Sequence, residues 1–137
     1  MKKITLASVL FVLLVGCSSE PSFSEVNLED VHEDARSVFE NIGPTDDAPI
    51  YYDGEDIAYI FLHGNNEDNK LFHFTDFSVE SDGNNLMIYY TQEETNDSSD
   101  NTLKYQVVYK INKEKEYERV RVFKNREEAE FYSVPGN

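Results

Sequence analysis

Apolar residues follow two different periods, which divide the chain into a helical part and a strand-rich part. Between residues 28 and 42 they recur at spacings of three and four, as on one face of a helix: Leu28, Val31, Ala35, Val38, Phe39 and Ile42. Asn27 is a suitable N-cap before this segment, and Gly43-Pro44 is a helix stop after it. The pattern therefore predicts one helix over residues 28–42.

From residue 46 onward the apolar runs are short and are separated by turn residues. In the clearest run, 103–111, apolar side chains alternate with Lys104, Gln106 and Lys110. Such alternation is typical of a strand with one buried face. Further strands are predicted at 50–52, 57–63, 71–80, 86–91 and 117–124. The polar segment 92–101 predicts a loop.

The last part of the chain predicts a second, short helix. Asn125-Arg126-Glu127-Glu128 has the pattern of a capping box, with Asn at the N-cap and Glu at N3, and the helix is expected to end near Tyr132.

Taken together, these elements predict an α+β fold. One N-terminal helix packs on a mostly antiparallel sheet of about five strands, in an order similar to that of cystatin-like folds. The alternative is a small β-sandwich or a partly closed barrel.

The first seventeen residues have the layout of a secretory signal. Lys2 and Lys3 precede an almost unbroken apolar stretch, 4–15, which is shorter than the roughly 20 residues that a membrane-spanning helix needs. The stretch ends in Leu14-Val15-Gly16-Cys17, which resembles the lipobox of bacterial lipoproteins. The resemblance implies a diacylglyceryl group on Cys17, cleavage before it, and a lipid anchor on the extracytoplasmic face of the cell membrane. It implies a location and no activity.

This interpretation divides the chain into a signal peptide (1–16), a lipidated tether (17–26) and one acidic globular domain (27–137). No family is recognised for the mature domain. Without the signal, ten basic and twenty-seven acidic residues remain, a net charge of −17. A surface of this charge repels phosphate backbones, which argues against nucleic acid as a partner.

The sequence gives little support to nucleophilic catalysis, and it does not show whether two carboxylates lie close enough together for acid–base chemistry. Cys17 is the only cysteine, and lipidation would consume its thiol. No serine lies in a Gly-x-Ser-x-Gly or Ser-x-x-Lys context. Catalytic residues, cofactors and metal ligands are therefore predicted to be absent, although His63, His73 and the acidic loops leave the question of a metal site open.

Tyrosine is the residue type that most favours a binding role, because an exposed tyrosine offers a large contact area at low entropic cost. The predicted binding residues are Tyr51, Tyr52, Tyr89, Tyr105 and Tyr109. The predicted function is that of a membrane-anchored, non-enzymatic module that binds an envelope protein, as an inhibitor, an immunity or exclusion factor, or an accessory subunit. The alternative is a ligand- or cation-binding lipoprotein.

Overall fold

The computed structural model describes residues 20–42, 48–64, 70–96 and 102–135. Within these ranges 61% of the residues lie in strands and 11% in helices, so the protein is mostly β. The strands are β1 (Ser22–Val26), β2 (Ala48–Asp53), β3 (Ile57–His63), β4 (Leu71–Asp82), β5 (Asn85–Thr95), β6 (Gln106–Asn112), β7 (Arg119–Lys124), β8 (Glu127–Ala129) and β9 (Phe131–Pro135). A 3-10 turn (Leu28–Asp30) and helix α1 (Glu33–Glu40) lie between β1 and β2. The predicted signal peptide, Cys17 and Gly43-Pro44 lie outside the described residues.

These strands form two mixed sheets. Sheet A has the order β1-β6-β3-β2-β9, and sheet B has the order β4-β5-β7-β8. The pairs β2/β9 and β5/β7 are parallel, and the other neighbours are antiparallel. Neither sheet closes into a barrel within the described ranges.

The prediction of one helix on a mostly antiparallel five-stranded sheet, with a cystatin-like order, is wrong. Consecutive strands β3 and β4 belong to different sheets, and the two parallel pairs join strands that are distant in the sequence. Periodicity shows which side of a strand is buried but not which strand lies beside it. The main core is formed by side chains of both sheets, including Ile50, Ile60, Leu62, Phe74, Leu86, Ile88, Val107, Ile111 and Val122.

The central strands of sheet A, β2, β3 and β6, are buried on both faces. In the paired strands β2 and β3, Ile50 and Ile60 face the core that is shared with sheet B. Their neighbours Tyr51, Tyr59 and Phe61 belong to a second core, which also contains residues of α1. Because successive side chains of a strand point to opposite faces, both cores depend on the same backbone.

Helix α1 is shorter than the predicted helix over 28–42. Val31 is extended, with φ −81° and ψ 148°, and ends the 3-10 turn. His32 then caps α1, because its Nδ1 accepts a hydrogen bond from the Asp34 N–H at 3.2 Å. Ala35 and Phe39 are the buried residues of α1, and the ring of Phe39 stacks on Phe61 with the centroids 5.1 Å apart.

The predicted C-terminal helix is also wrong, because residues 125 and 126 form the turn of a β-hairpin. Lys124 pairs with Glu127, and the two residues between them have positive φ, 55° at Asn125 and 72° at Arg126. Two positive φ angles are what a two-residue turn of type I′ requires. The sequence signal was hidden, because Arg126 stands where glycine is usual.

The side chain of Asn125 joins this turn to β5. Its Nδ2 donates to the carbonyl of Gln92 at 3.1 Å, and its Oδ1 accepts from the Gln92 N–H at 2.8 Å. Its own N–H donates to the carbonyl of Tyr90 at 3.0 Å. The amide therefore extends the parallel β5/β7 ladder beyond the end of β7.

Strand β1 lies inside the segment that the sequence assigned to the tether. All five of its residues pair with β6, from Ser22 opposite Asn112 to Val26 opposite Val108. Phe23 is 41% exposed, and its ring makes edge contacts with Phe77 at 4.9 Å and Tyr109 at 5.8 Å. The folded domain therefore begins no later than Ser22.

Gly64 joins the two sheets where β3 ends. Its N–H donates to the carbonyl of Tyr105 at 2.7 Å, and its carbonyl accepts from the Phe72 N–H at 2.8 Å. A Cβ on this residue would lie 2.6 Å from the carbonyl oxygen of Tyr105 and closer still to that of Phe72. Both neighbours are backbone atoms, which cannot rotate away.

We expect Gly64→Ala to lower the free energy of unfolding by about 2–3 kcal/mol, because the added methyl overpacks a junction of two strands. Gly54→Ala is the matched control: Gly54 has φ +73° but no heavy atom within 4 Å of the added Cβ. Its cost should be about 1 kcal/mol, from the backbone conformation alone. Urea denaturation measures both values, and equal losses would contradict the assigned contact.

We expect Arg126→Gly to raise the free energy of unfolding by about 0.5–1 kcal/mol. A left-handed conformation costs a non-glycine residue about 1–2 kcal/mol, and the added freedom of the unfolded chain offsets part of the gain. The control is Lys124→Gly in the adjoining strand, which should destabilise by about 0.5–1 kcal/mol. A loss of stability in Arg126→Gly would contradict the I′ turn.

Candidate functional site

The five predicted binding tyrosines do not share one surface. Tyr51 is buried in the core under α1, and Tyr109 is buried in the core between the sheets, where its ring stacks on Phe77 at 3.8 Å. Tyr52, Tyr89 and Tyr105 are half-buried. Of the five, Tyr89 lies on the outer face of sheet B, because its neighbours Ile88 and Tyr90 face the core.

The outer face of sheet B is the first candidate site. In β4, β5 and β7, the side chains of Val79, Ile88 and Val122 point toward the main core. The residues on either side of them along each strand therefore point to the outer face. We define the sheet B face as Ser78, Glu80, Met87, Tyr89, Arg121, Phe123 and the adjoining Glu128 of β8. Apart from Met87, which is 6% exposed, these side chains are half-buried or exposed.

Aromatic rings and an arginine lie together at the centre of the sheet B face. The rings of Tyr89 and Phe123 stack with their centroids 5.1 Å apart and an interplanar angle of 19°. The guanidinium of Arg121 lies 5.2 Å from the centroid of the Phe123 ring. Arg121 also donates two hydrogen bonds to Glu128, at 3.0 Å and 2.8 Å. A bidentate pair of this kind holds the planar guanidinium in one orientation.

Hydrogen bonds to carboxylates shift the pKa values on this face. The phenol of Tyr89 donates to Oε1 of Glu80 at 2.7 Å, and this bond is the main cause of a raised pKa of Tyr89. Burial and the negative charges of Glu80 and Asp82 raise that pKa further, whereas Arg121 opposes the shift. The hydrogen bond from Arg121 lowers the pKa of Glu128. Charged groups therefore organise this face at neutral pH.

Most of this cluster was missed by the sequence analysis. In the segment 119–123, Val120 and Val122 alternate with the other three residues. This alternation does indicate that Arg121 and Phe123 face outward. Glu128 carried no such signal, because its segment was predicted to be helical. The contact of Tyr89 with Phe123 depends on the parallel β5/β7 pairing, which no local pattern revealed.

A β-bulge in β4 forms the second candidate site. The register of β4 against β5 shifts between Thr75 and Ser78, and Asp76 has φ 56°. A bulge bends its strand, increases the local twist and leaves the extra residue without a partner in the ladder. Beside it is a cleft of about 200 Å³, here called the bulge cleft, which is lined by His73, Phe74, Thr75, Asp76, Thr102, Leu103, Lys104 and Tyr109.

His73 is the most unusual residue of the bulge cleft. Its side chain is 13% exposed, and its Nε2 lies 3.6 Å from Oε2 of Glu93. Its Nδ1 is buried and has no hydrogen-bond partner among the described residues. A buried polar atom without a partner costs about 1–3 kcal/mol, so a group that hydrogen-bonded this nitrogen would recover part of that free energy.

The structure offers little support for a metal centre. His63 lies in sheet A and His73 in sheet B, and the hydrogen bond from the Phe72 N–H to the Gly64 carbonyl joins the chain segments next to them. In the part of the chain that the structure describes, no group of three or more His, Cys, Asp or Glu side chains is placed to hold a metal ion.

A wider depression adjoins the bulge cleft. It has a volume of about 430 Å³ and is lined by Asp76, Thr91, Gln92, Glu93, Asn125 and Arg126. Asp76 and Glu93 are exposed.

Comparison with known proteins finds no family model, no curated protein and no solved structure that matches the chain. Among the helices in the described ranges, none has the length and apolar character needed to span a bilayer.

We expect Tyr89 to titrate above its ordinary pKa of about 10, and Glu80→Gln to lower its pKa because the charge at the hydrogen-bond acceptor is removed. Arg121→Ala should raise it further, because a neighbouring positive charge is lost. Folding raises the pKa of Tyr89. The stability that this shift contributes is therefore fully present below the unfolded pKa of about 10, and it is lost as the pH rises through the folded pKa. NMR titration of ring-labelled tyrosine, with Tyr89→Phe to assign the signal, measures each shift. An unchanged pKa in Glu80→Gln would contradict the assigned cause.

Proposed function

We propose that the protein is a lipid-anchored extracytoplasmic lipoprotein that acts as a non-enzymatic protein-binding module. The sheet B face is its contact surface. The observation that carries this proposal is the cluster of Tyr89, Phe123 and Arg121 on a broad strand surface. Tyrosine and arginine are enriched among the residues that dominate protein–protein binding energy.

The geometry of this cluster favours binding because its side chains are already ordered. The stacked rings, the bidentate pair of Arg121 with Glu128 and the bond of Tyr89 to Glu80 hold the central side chains in place. A preordered surface loses less side-chain entropy when a partner binds. The exposed acids at its edge, Glu80 and Glu128, form a polar rim around the aromatic centre.

The anchor rests on residues 1–17 and their resemblance to a lipoprotein signal. Each buried methylene contributes about 0.8 kcal/mol, and two acyl chains are enough for stable anchorage. Lipidation of Cys17 would also consume the one thiol of the chain, which supports a role in binding rather than in nucleophilic catalysis.

A second candidate function is the binding of a small ligand in the bulge cleft. The specific observation in its favour is the buried Nδ1 of His73, which lacks a hydrogen-bond partner within the described residues. A ligand that hydrogen-bonds this nitrogen and contacts Phe74 and Leu103 would fit a cleft of about 200 Å³. Thermal unfolding scanned against small-molecule sets would detect such a ligand as a rise in Tm, and His73→Gln should abolish that rise.

We expect Arg121→Ala to reduce capture of the partner at least tenfold when the lipidated chain is cross-linked in intact cells and purified from the membrane. The loss removes both the guanidinium and the order that it imposes on Glu128. Arg36→Ala is the matched control, because Arg36 forms an exposed pair with Glu40 at 3.9 Å in α1. Both pairs lie at the surface, where ion pairs contribute little to stability, so both variants should remain folded. Equal capture by the two variants would contradict the assigned surface.

A further inference from the structure

Strand β1 attaches the predicted lipid anchor to one particular end of the domain. Ser22 pairs with Asn112 of β6, and the same register places Ile57 of β3 opposite Asn112 on its other side. The backbone N–H of Lys113 donates to the Asp56 carbonyl at 2.8 Å. We call this part of the domain, with the turn 54–56 and the segment 113–118, the tether end.

Sheet B joins the tether end through its turn at 82–85. The N–H of Glu118 donates to the Asn84 carbonyl at 2.8 Å, and Nζ of Lys115 donates to the Gly83 carbonyl at 3.1 Å. Strands β5 and β7 both start here and run in parallel away from it. At about 3.3 Å per residue, Glu94 lies roughly 30 Å along β5 from Asn85.

The tether itself is short because β1 starts at Ser22. Four residues, 18–21, separate Cys17 from this strand, so the lipid-bearing sulfur lies at most about 20 Å from Ser22 at full extension. Phe23 then contacts Phe77 at 4.9 Å, and Ser78 beside it pairs with Tyr89. This path places Tyr89 within about 45 Å of the anchored sulfur.

The charge of the mature chain, −17, makes an anionic bilayer or an acidic protein surface an unfavourable contact. The sheet B face itself carries charges of both signs, because Glu80, Asp82 and Glu128 lie near Arg119 and Arg121, and Arg121 is paired with Glu128. The complementarity to a basic protein surface therefore comes from the net charge of the whole domain.

We infer that the domain stands with its tether end toward the bilayer and that the sheet B face binds a partner anchored in the same membrane through a basic surface of that partner. This inference rests on the proposed function. The short tether confines the sheet B face to a layer of about 45 Å above the anchor, which a membrane-anchored partner shares. The net charge of the mature chain disfavours an anionic lipid surface as the contact.

Energy transfer from the full, lipidated chain to headgroup-labelled lipid tests the orientation. The donor dye is placed on single cysteines introduced at three exposed positions, Glu55→Cys, Ser78→Cys and Glu94→Cys; acylated Cys17 would not react. In vesicles of phosphatidylethanolamine and phosphatidylglycerol, transfer should decrease in the order 55, 78, 94. Insertion of twenty Gly/Ser residues after Ser19 should lower all three efficiencies and remove the order.

Vesicle flotation before the measurement separates the two levels of the proposal. A chain that does not float overturns the anchor, and with it the proposed function and this inference. A chain that floats but shows equal or reversed transfer overturns the orientation alone.

The partner class is tested by cross-linking from Ser78→Cys in intact cells, with Arg36→Cys on α1 as the control position. A product that is specific to residue 78, recovered with the membrane and reduced at least fivefold by the long tether, supports a membrane-anchored partner. A product that is unaffected by the tether, or that is recovered in the soluble fraction, overturns that partner class. The same product from both positions, or none from either, counts against the sheet B face itself.

Discussion

The burial of the central strands of sheet A, β2, β3 and β6, on both faces is the constraint on which the rest of the structure depends. Strands β2 and β3 send alternate side chains into two cores, one shared with sheet B and one under α1. Each large side chain that is fully buried contributes about 1.5–3 kcal/mol, and neither core can form without the cover on its side. Because the chain has a single cysteine and so no internal disulfide, its stability depends on these contacts.

This constraint also determines which surface remains for function. Helix α1 and sheet B cover the two faces of β2, β3 and β6, whereas the side chains on the outer face of sheet B are half-buried or exposed apart from Met87. The bulge of β4 also contributes to this arrangement. It places Phe77 against Tyr109 and Phe23, and the pairing of β4 with β5 resumes at Ser78, which lies opposite Tyr89. The same strand therefore contacts β1 through Phe77 and supports the aromatic cluster of the sheet B face through Ser78.

The candidate site was predictable only where its residues obey a local rule. Alternation along β5 and β7 assigns Tyr89, Arg121 and Phe123 to the outside of their strands, and the short apolar run 57–63 correctly indicates β3. The same alternation could not show that Tyr51 and Tyr109 face cores rather than solvent, since the second face of sheet A is covered by elements distant in the sequence. The position of Glu128 on this face was not predicted, because its segment was expected to be helical. Asn125 suits both a capping box and a type I′ turn, and the residue type of Arg126 does not indicate its positive φ.

The amino-acid sequence by itself determined the positions of most strands, the acidic surface, the single cysteine and its lipobox-like setting, because each is a property of composition or of a short window. Only the tertiary structure decided which strands pair, that the pairing is mixed, and that β1 belongs to the folded domain. These features arise from contacts between residues such as Phe23 and Phe77, or Asn125 and Gln92, that are far apart along the chain. Such contacts are stabilised by burial and hydrogen bonding in three dimensions, and no local period encodes them.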